Sequence, residues 1–253
     1  MSSLTIGLIS AGCIVSAVFF GFLLQRVLPK HHLSADSKDT VKLSAGLLAT
    51  MTALVLGLLV SSAKSSFDAT STGIVQAGAR IIMFDRVLAN YGPETKEVRA
   101  QLRDSVVTMI DRIWLGDKGR AGGLRAFEMG TEIGAMQGKL RELRPQNGEQ
   151  QQLLSQALQI SSDFAQGRWV LIEQMQSKLP IPLLVVLVLW VAILFVSFAM
   201  FAPRNGTVLT ALLICALSVS SAIGLVLELN RPLDGIIRVS DAPLRKVFEF
   251  IGK

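Results

Sequence analysis

The chain has 253 residues, of which 51% are hydrophobic and 17% charged, with a mean hydropathy of +0.50. That balance excludes an ordinary water-soluble globule, because the apolar residues are gathered into blocks instead of being spread with helical or strand periodicity. The formal charge of +6 does not point to nucleic acid, since the 25 basic residues are interleaved with 19 acidic ones outside the blocks.

Four blocks are long and apolar enough to cross a bilayer: residues 4–28, 41–63, 181–202 and 208–227. The first lacks a basic leader and is long for a cleaved signal, so it reads as a span. Ala17 and Gly21 form one small-xxx-small step, which permits close helix approach. Pro29 ends this helix, and PKHHLSADSKD reads as a short polar loop with Ser37, Asp39 and Thr40 as candidate caps for the next helix. So short a link predicts an antiparallel hairpin of spans one and two. His31 and His32 have no clustered Cys or His neighbour, which argues against zinc. Cys13 and Cys215 lie inside apolar helices and read as packing residues, neither disulfide-bonded nor metal-binding.

Span two, with the sequence VKLSAGLLATMTALVLGLLVSSA, is not apolar all round. Gly46, Thr50, Ala53, Gly57, Ser61 and Lys64 recur every three or four residues and share one helical face. Lipid would favour Leu and Val there, so this face points at protein or at water. Two readings stay open. It lines a pathway where the hydroxyls of Thr50 and Ser61 meet a partly dehydrated ion, or it is a packing stripe, which Gly46, Ala53 and Gly57 suit equally well. Leu54 and Leu58 are the candidates for an apolar constriction.

Residues 64–179 contain no apolar span and read as a bundle of about four amphipathic helices. Phe67, Ile74, Ala77, Ile81, Phe84 and Leu88 keep helical spacing, so the helix of span two is expected to continue to about Leu88. Gly92 and Pro93 break it. Helices are then expected over 94–115, 124–143 and 150–179, separated by the glycine-rich GDKGRAGG and by RPQNG. Trp114 and Trp169 read as packing residues. Arg80, Asp85 and Arg86 flank the apolar stripe and read as a solvated face or as intersubunit contacts. Pro182 falls in the first turn of span three, where its missing N–H costs nothing. A tight PRNG turn joins spans three and four, and Ala211, Cys215, Ser218, Ser221 and Glu228 lie on roughly one face of span four. Glu228 is expected to join Asp68, Arg231 and Asp234 in a charged cluster at the membrane surface, as a relay or as an ion-paired clamp. The tail, 229–253, is broken by Pro232, Gly235 and Pro243.

The expected fold is therefore an all-α membrane protein. It has a transmembrane hairpin over 1–63, a helical domain over 64–179, a second hairpin over 180–228 and a tail. Parity places both termini and the helical domain on one side, and a modest excess of basic residues near those span ends makes that side the cytoplasm. No catalytic signature is present: there is no GxSxG, HExxH, CxxC, phosphate loop or dinucleotide fingerprint. No enzyme activity, cofactor or metal is expected.

Three stretches, LVLGLLVSSAKSSFD at 54–68, DRVLANYGPETKEVR at 85–99 and ELNRPLDGIIRVSDAPL at 228–244, resemble the bacterial bestrophin-like membrane proteins grouped as a domain of unknown function, DUF4239. The resemblance covers nearly the whole chain, including the order of two spans, helical insertion and two spans. Bestrophins are oligomeric anion channels whose pore is lined largely by the second span. The resemblance implies a homo-oligomer, a pentamer for instance, in the bacterial inner membrane, with the lipid bilayer and a permeant inorganic ion as its other partners. It also implies the Gly46–Lys64 face as pore lining. Two features depart from bestrophins: this face carries no aromatic residue, and the tail has no cluster of acids resembling a calcium clasp. The competing expectation is a non-conducting scaffold or signalling protein that acts through its helical domain.

Overall fold

The computed structural model describes residues 3–29, 35–111, 114, 131–176, 181–233 and 235–251. These residues form α1 (Ser3–Val27), α2 (Ala35–Tyr91), a 3-10 turn (Pro93–Thr95), α3 (Lys96–Ile110), α4 (Thr131–Glu142), α5 (Gly148–Gln176), α6 (Ile181–Phe201), α7 (Gly206–Leu229) and α8 (Ala242–Val247). The protein is all-α, with four long apolar helices arranged as two hairpins that flank a helical insertion. It divides into two compact units, Met1–Ser65 with Lys178–Asn230 and Ser66–Ser177 with Arg231–Lys253. Helix α2 contributes to both.

In the first unit, α1, α6, α7 and the first part of α2 are each long and apolar enough to span a membrane. Their outer surfaces carry exposed Leu8, Phe20, Leu43, Val185, Ile193 and Leu217, a distribution that suits lipid and not water. The hydroxyls of Ser10 and Ser220 donate to the carbonyls of Ile6 and Ala216 four residues back, at 2.9 and 2.7 Å, so neither is left unsatisfied in an apolar interior. Within this unit α1 packs closely against α6 and α7. Gly21 explains part of this. A Cβ at that position would come within 2.6 Å of both the Val196 carbonyl oxygen and the Ala199 Cβ, so only glycine lets the two backbones meet. Ile14, Val18, Leu187, Val191, Ala216 and Ile223 fill the core, and α2 joins it through Leu59 and Ala63.

Several expectations are corrected. Helix α2 begins at Ala35, so Ser37, Asp39 and Thr40 lie inside it and do not cap it. Asp39 instead pairs with Lys42 at 3.3 Å, a surface pair one turn apart in a segment that already favours helix. Cys13 and Cys215 are exposed, not packed. His31, His32, the GDKGRAGG stretch, Lys178 and Pro180 lie outside the described residues.

The second unit is built in the opposite sense, with its apolar side chains inward. Ile81, Phe84, Leu88, Leu102, Val106, Leu140 and Ala157 form its core, and the Phe84 and Phe164 rings meet edge to face at 5.8 Å. Helix α2 extends to Tyr91, one turn beyond the expected end, and stops at Gly92 with φ 132°, a backbone region that side chains rarely enter. The buried Thr95 hydroxyl then donates to the Leu88 carbonyl at 2.6 Å and satisfies an acceptor of the last turn. Asn147 caps α5 by accepting from the Gln150 N–H at 2.7 Å, and the Gln150 side chain donates back to the Tyr91 carbonyl at 3.0 Å. The tail belongs to this unit. Leu233, Val239, Leu244, Val247 and Ile251 enter its core, Gly78 of α2 makes room for Val247 and Leu244, and the Trp114 indole donates to the Val239 carbonyl at 3.0 Å. Trp114 therefore packs as expected, whereas Trp169 is 61% exposed.

Candidate functional site

The membrane-spanning part of α2 shows three distinct faces. Ala45, Thr52, Leu59 and Ala63 are buried against the rest of the first unit, and the Thr52 hydroxyl is satisfied by the Leu48 carbonyl at 2.7 Å. Gly46, Thr50, Ala53, Gly57, Ser61 and Lys64 are all exposed. A Cβ at Gly46 or Gly57 would meet nothing within 4 Å. The small residues are therefore not where α2 packs on its own protomer. The Thr50 hydroxyl donates to the Leu47 carbonyl at 2.7 Å, which leaves its oxygen lone pairs facing outward. The third face is a ridge of exposed Leu43, Leu47, Leu54 and Leu58. At 3.6 residues per turn it lies about 70° round the helix from the small-residue face, so the two constriction candidates adjoin that face without lying on it.

The exposed small and polar stripe continues along α2. Gly46, Gly57, Asp68, Ala79 and Asn90 recur at intervals of eleven, and Thr72, Val75, Met83 and Arg86 fill the register between them, every one exposed. An eleven-residue repeat is three turns at almost the natural helical pitch, so this face does not wander round the helix. Met83 and Val75 keep it from being purely polar.

Of the expected surface cluster, Glu228 is 9% exposed at the end of α7 in the first unit, while exposed Asp68 and half-buried Arg231 belong to the second. None of the three lacks an interaction partner. Asp234 lies outside the described residues. Ala211, Cys215, Ser218 and Ser221 of α7 are exposed, and the two serine hydroxyls donate to the carbonyls of Ile214 and Ser218, at 2.9 and 2.7 Å. Among the described residues, no group of His, Cys, Asp and Glu could hold a metal ion.

The charged pair that matters most to the second unit lies elsewhere. Asp85, expected on a solvated face, is 2% exposed and receives both the Nε and an Nη hydrogen of Arg99, at 2.8 and 2.9 Å. That bond to Asp85 holds the guanidinium pKa above its ordinary value. The signal was present in the spacing: Asp85 falls four residues after Ile81 and three before Leu88, on the apolar stripe itself.

A bestrophin-like domain matches residues 12–244, and the chain belongs to the bestrophin-like family. This corrects the narrower resemblance to DUF4239: the matching family is described as bestrophin-like, and that label finds no support. No curated protein matches the chain. Two crystal structures of mutants of a bacterial bestrophin homologue from Klebsiella pneumoniae share its fold. One is 13% identical, with 97% of this chain and 99% of that one aligned and a TM-score of 0.67. The other is 14% identical, with 95% and 99% aligned and a TM-score of 0.64.

Proposed function

We propose that the protein is a homo-oligomeric ion channel of the bacterial inner membrane, with α2 of each copy turned toward a shared axis. The supporting observation is the uncovered face Gly46, Thr50, Ala53, Gly57, Ser61 and Lys64. Its small and polar residues are wasted on lipid, and a Cβ at Gly46 or Gly57 would meet nothing within 4 Å. The family's fold supports the same reading. Conduction is passive, with no reaction and no cofactor. In this proposal Thr50 and Ser61 line the path, the Thr50 hydroxyl turning its hydrogen from the Leu47 carbonyl to meet an anion, Leu54 and Leu58 border the narrowest part, and Lys64 biases the entrance toward anions. Asp68, Glu228, Arg231 and Asp234 set the charge at the membrane surface, and the helical insertion and both termini are cytoplasmic.

Ion flux from liposomes containing the purified protein, followed by single-channel recording, tests the proposal. Selective current that changes in Thr50→Val or Ser61→Ala supports it, and Lys64→Glu is expected to shift the reversal potential in a salt gradient toward cation preference. Silence across salts, pH and calcium, from folded oligomer, points instead to a scaffold acting through the insertion.

A further inference from the structure

The first unit holds a second feature that the ion pathway does not use. Where α1 ends and the α6–α7 turn begins α7, a cavity of about 400 Å³ opens at the surface. Phe19, Phe22, Leu23 and Leu209 line it together with Arg26 and Arg204. Arg204 is aimed by a neutral partner, since its Nε donates to the Gln25 Oε1 at 2.8 Å while the Gln25 amide donates to the Ala202 carbonyl at 3.0 Å. Among the described residues, neither guanidinium is paired with a carboxylate.

The arrangement has a direction. Arg26 and Arg204 sit at the ends of spans, at the level of lipid head groups. Phe19 lies two turns back along α1, about 10 Å deeper at 1.5 Å per residue. The site therefore offers two cations at the interface that have no carboxylate partner among the described residues, and an apolar trough running from them into the hydrocarbon. A single interfacial arginine is explained by snorkelling. Two that converge on one apolar cavity, one of them oriented by a buttressing glutamine, have the chemistry to hold a phosphate and the chain attached to it. We propose that this cavity is a binding site for an anionic phospholipid, with the phosphate between Arg26 and Arg204 and an acyl chain along Phe19, Phe22, Leu23 and Leu209.

Native mass spectrometry of the detergent-solubilised protein, titrated separately with phosphatidylglycerol, phosphatidylcholine and inorganic phosphate, tests the site. Phosphatidylglycerol is expected to bind in preference to phosphatidylcholine, and inorganic phosphate is expected neither to bind nor to compete. The pair Arg26→Gln/Arg204→Gln should weaken phosphatidylglycerol binding roughly 20- to 30-fold, at about fivefold for each interfacial charge. The pair Arg26→Lys/Arg204→Lys should keep most of it. Arg26→Gln alone leaves the Gln25–Arg204 bond intact and should cost about fivefold, which covers the case where the double variant misfolds. Equal binding of the two lipids, or phosphatidylglycerol binding unchanged in the glutamine variants, overturns the proposal. Displacement of lipid by inorganic phosphate overturns the lipid assignment in favour of a free anion.

Discussion

The two units of this protein solve the same problem, holding long helices together, with opposite materials. In the first, the outer surface is as apolar as the core, so burying hydrocarbon offers little preference for one helix neighbour over another. Close approach decides instead, as where Gly21 lets α1 touch the Val196–Ala199 stretch of α6. In the second, apolar burial supplies the driving force, and directional groups fix its geometry: the Asp85–Arg99 pair, the Thr95 hydroxyl and the Asn147 cap. One helix, α2, contributes to both units.

The sharpest way to break this contrast is to remove one half of the buried pair. Arg99→Ala leaves Asp85 buried without its partner and should cost the second unit about 3 kcal/mol or more, read by denaturant unfolding in detergent. Replacing both, as in Asp85→Leu/Arg99→Met, should recover most of that loss. A full loss in the double variant would mean that the pair's charge matters less than its shape.

Glycine substitutions separate packing from the uncovered face. Gly21→Val should destabilise the first unit by about 2 kcal/mol, through overpacking against α6. Gly57→Ala should leave protomer stability unchanged or slightly raised, because its Cβ enters open space. If Gly57→Ala changes oligomer stability or ion flux while the monomer's melting is unaffected, the uncovered face is an assembly or conduction surface.

A smaller effect tests the polar fastenings of the second unit. Asn147→Ala removes the α5 cap and should cost about 1 kcal/mol, with faster hydrogen exchange in the first turn of α5.

The smallest effect is a titration. Tyr91 is the one tyrosine in the chain, and burial, then the Glu94 charge, raises its phenol above the ordinary range. Its phenolate absorbance should therefore appear at higher pH in folded than in unfolded protein. The sign follows from linkage: the neutral phenol favours the native state, so this contribution is intact below the unfolded pKa near 10 and is lost as pH climbs through the folded value.

Some of this could be read from the residues alone. The four spans, the extension of α2 far beyond the membrane and the placing of Gly46–Lys64 on one face follow from apolar run length and 3.6-residue spacing. Both are local properties that neighbours in sequence settle among themselves. The breaker at Gly92 was legible for the same reason. The start of α2 was misplaced because ADSKD looks like a loop by composition, yet its residues carry only small helix penalties and gain a dipole-favouring acidic first turn.

Tertiary structure decided the rest. Nothing local says that α1 chooses α6 and α7, that Arg99 is the partner the inward-facing Asp85 finds, or that the proline-broken tail supplies Leu233, Val239 and Val247 to the second unit's core. Each is a pairing between segments distant in sequence, settled by shape and desolvation once the helices exist. The α2 stripe shows the division most clearly. Sequence spacing defined its membership, but only packing could show that Ala45, Thr52, Leu59 and Ala63 face inward and that Gly46, Thr50, Gly57 and Ser61 are left uncovered.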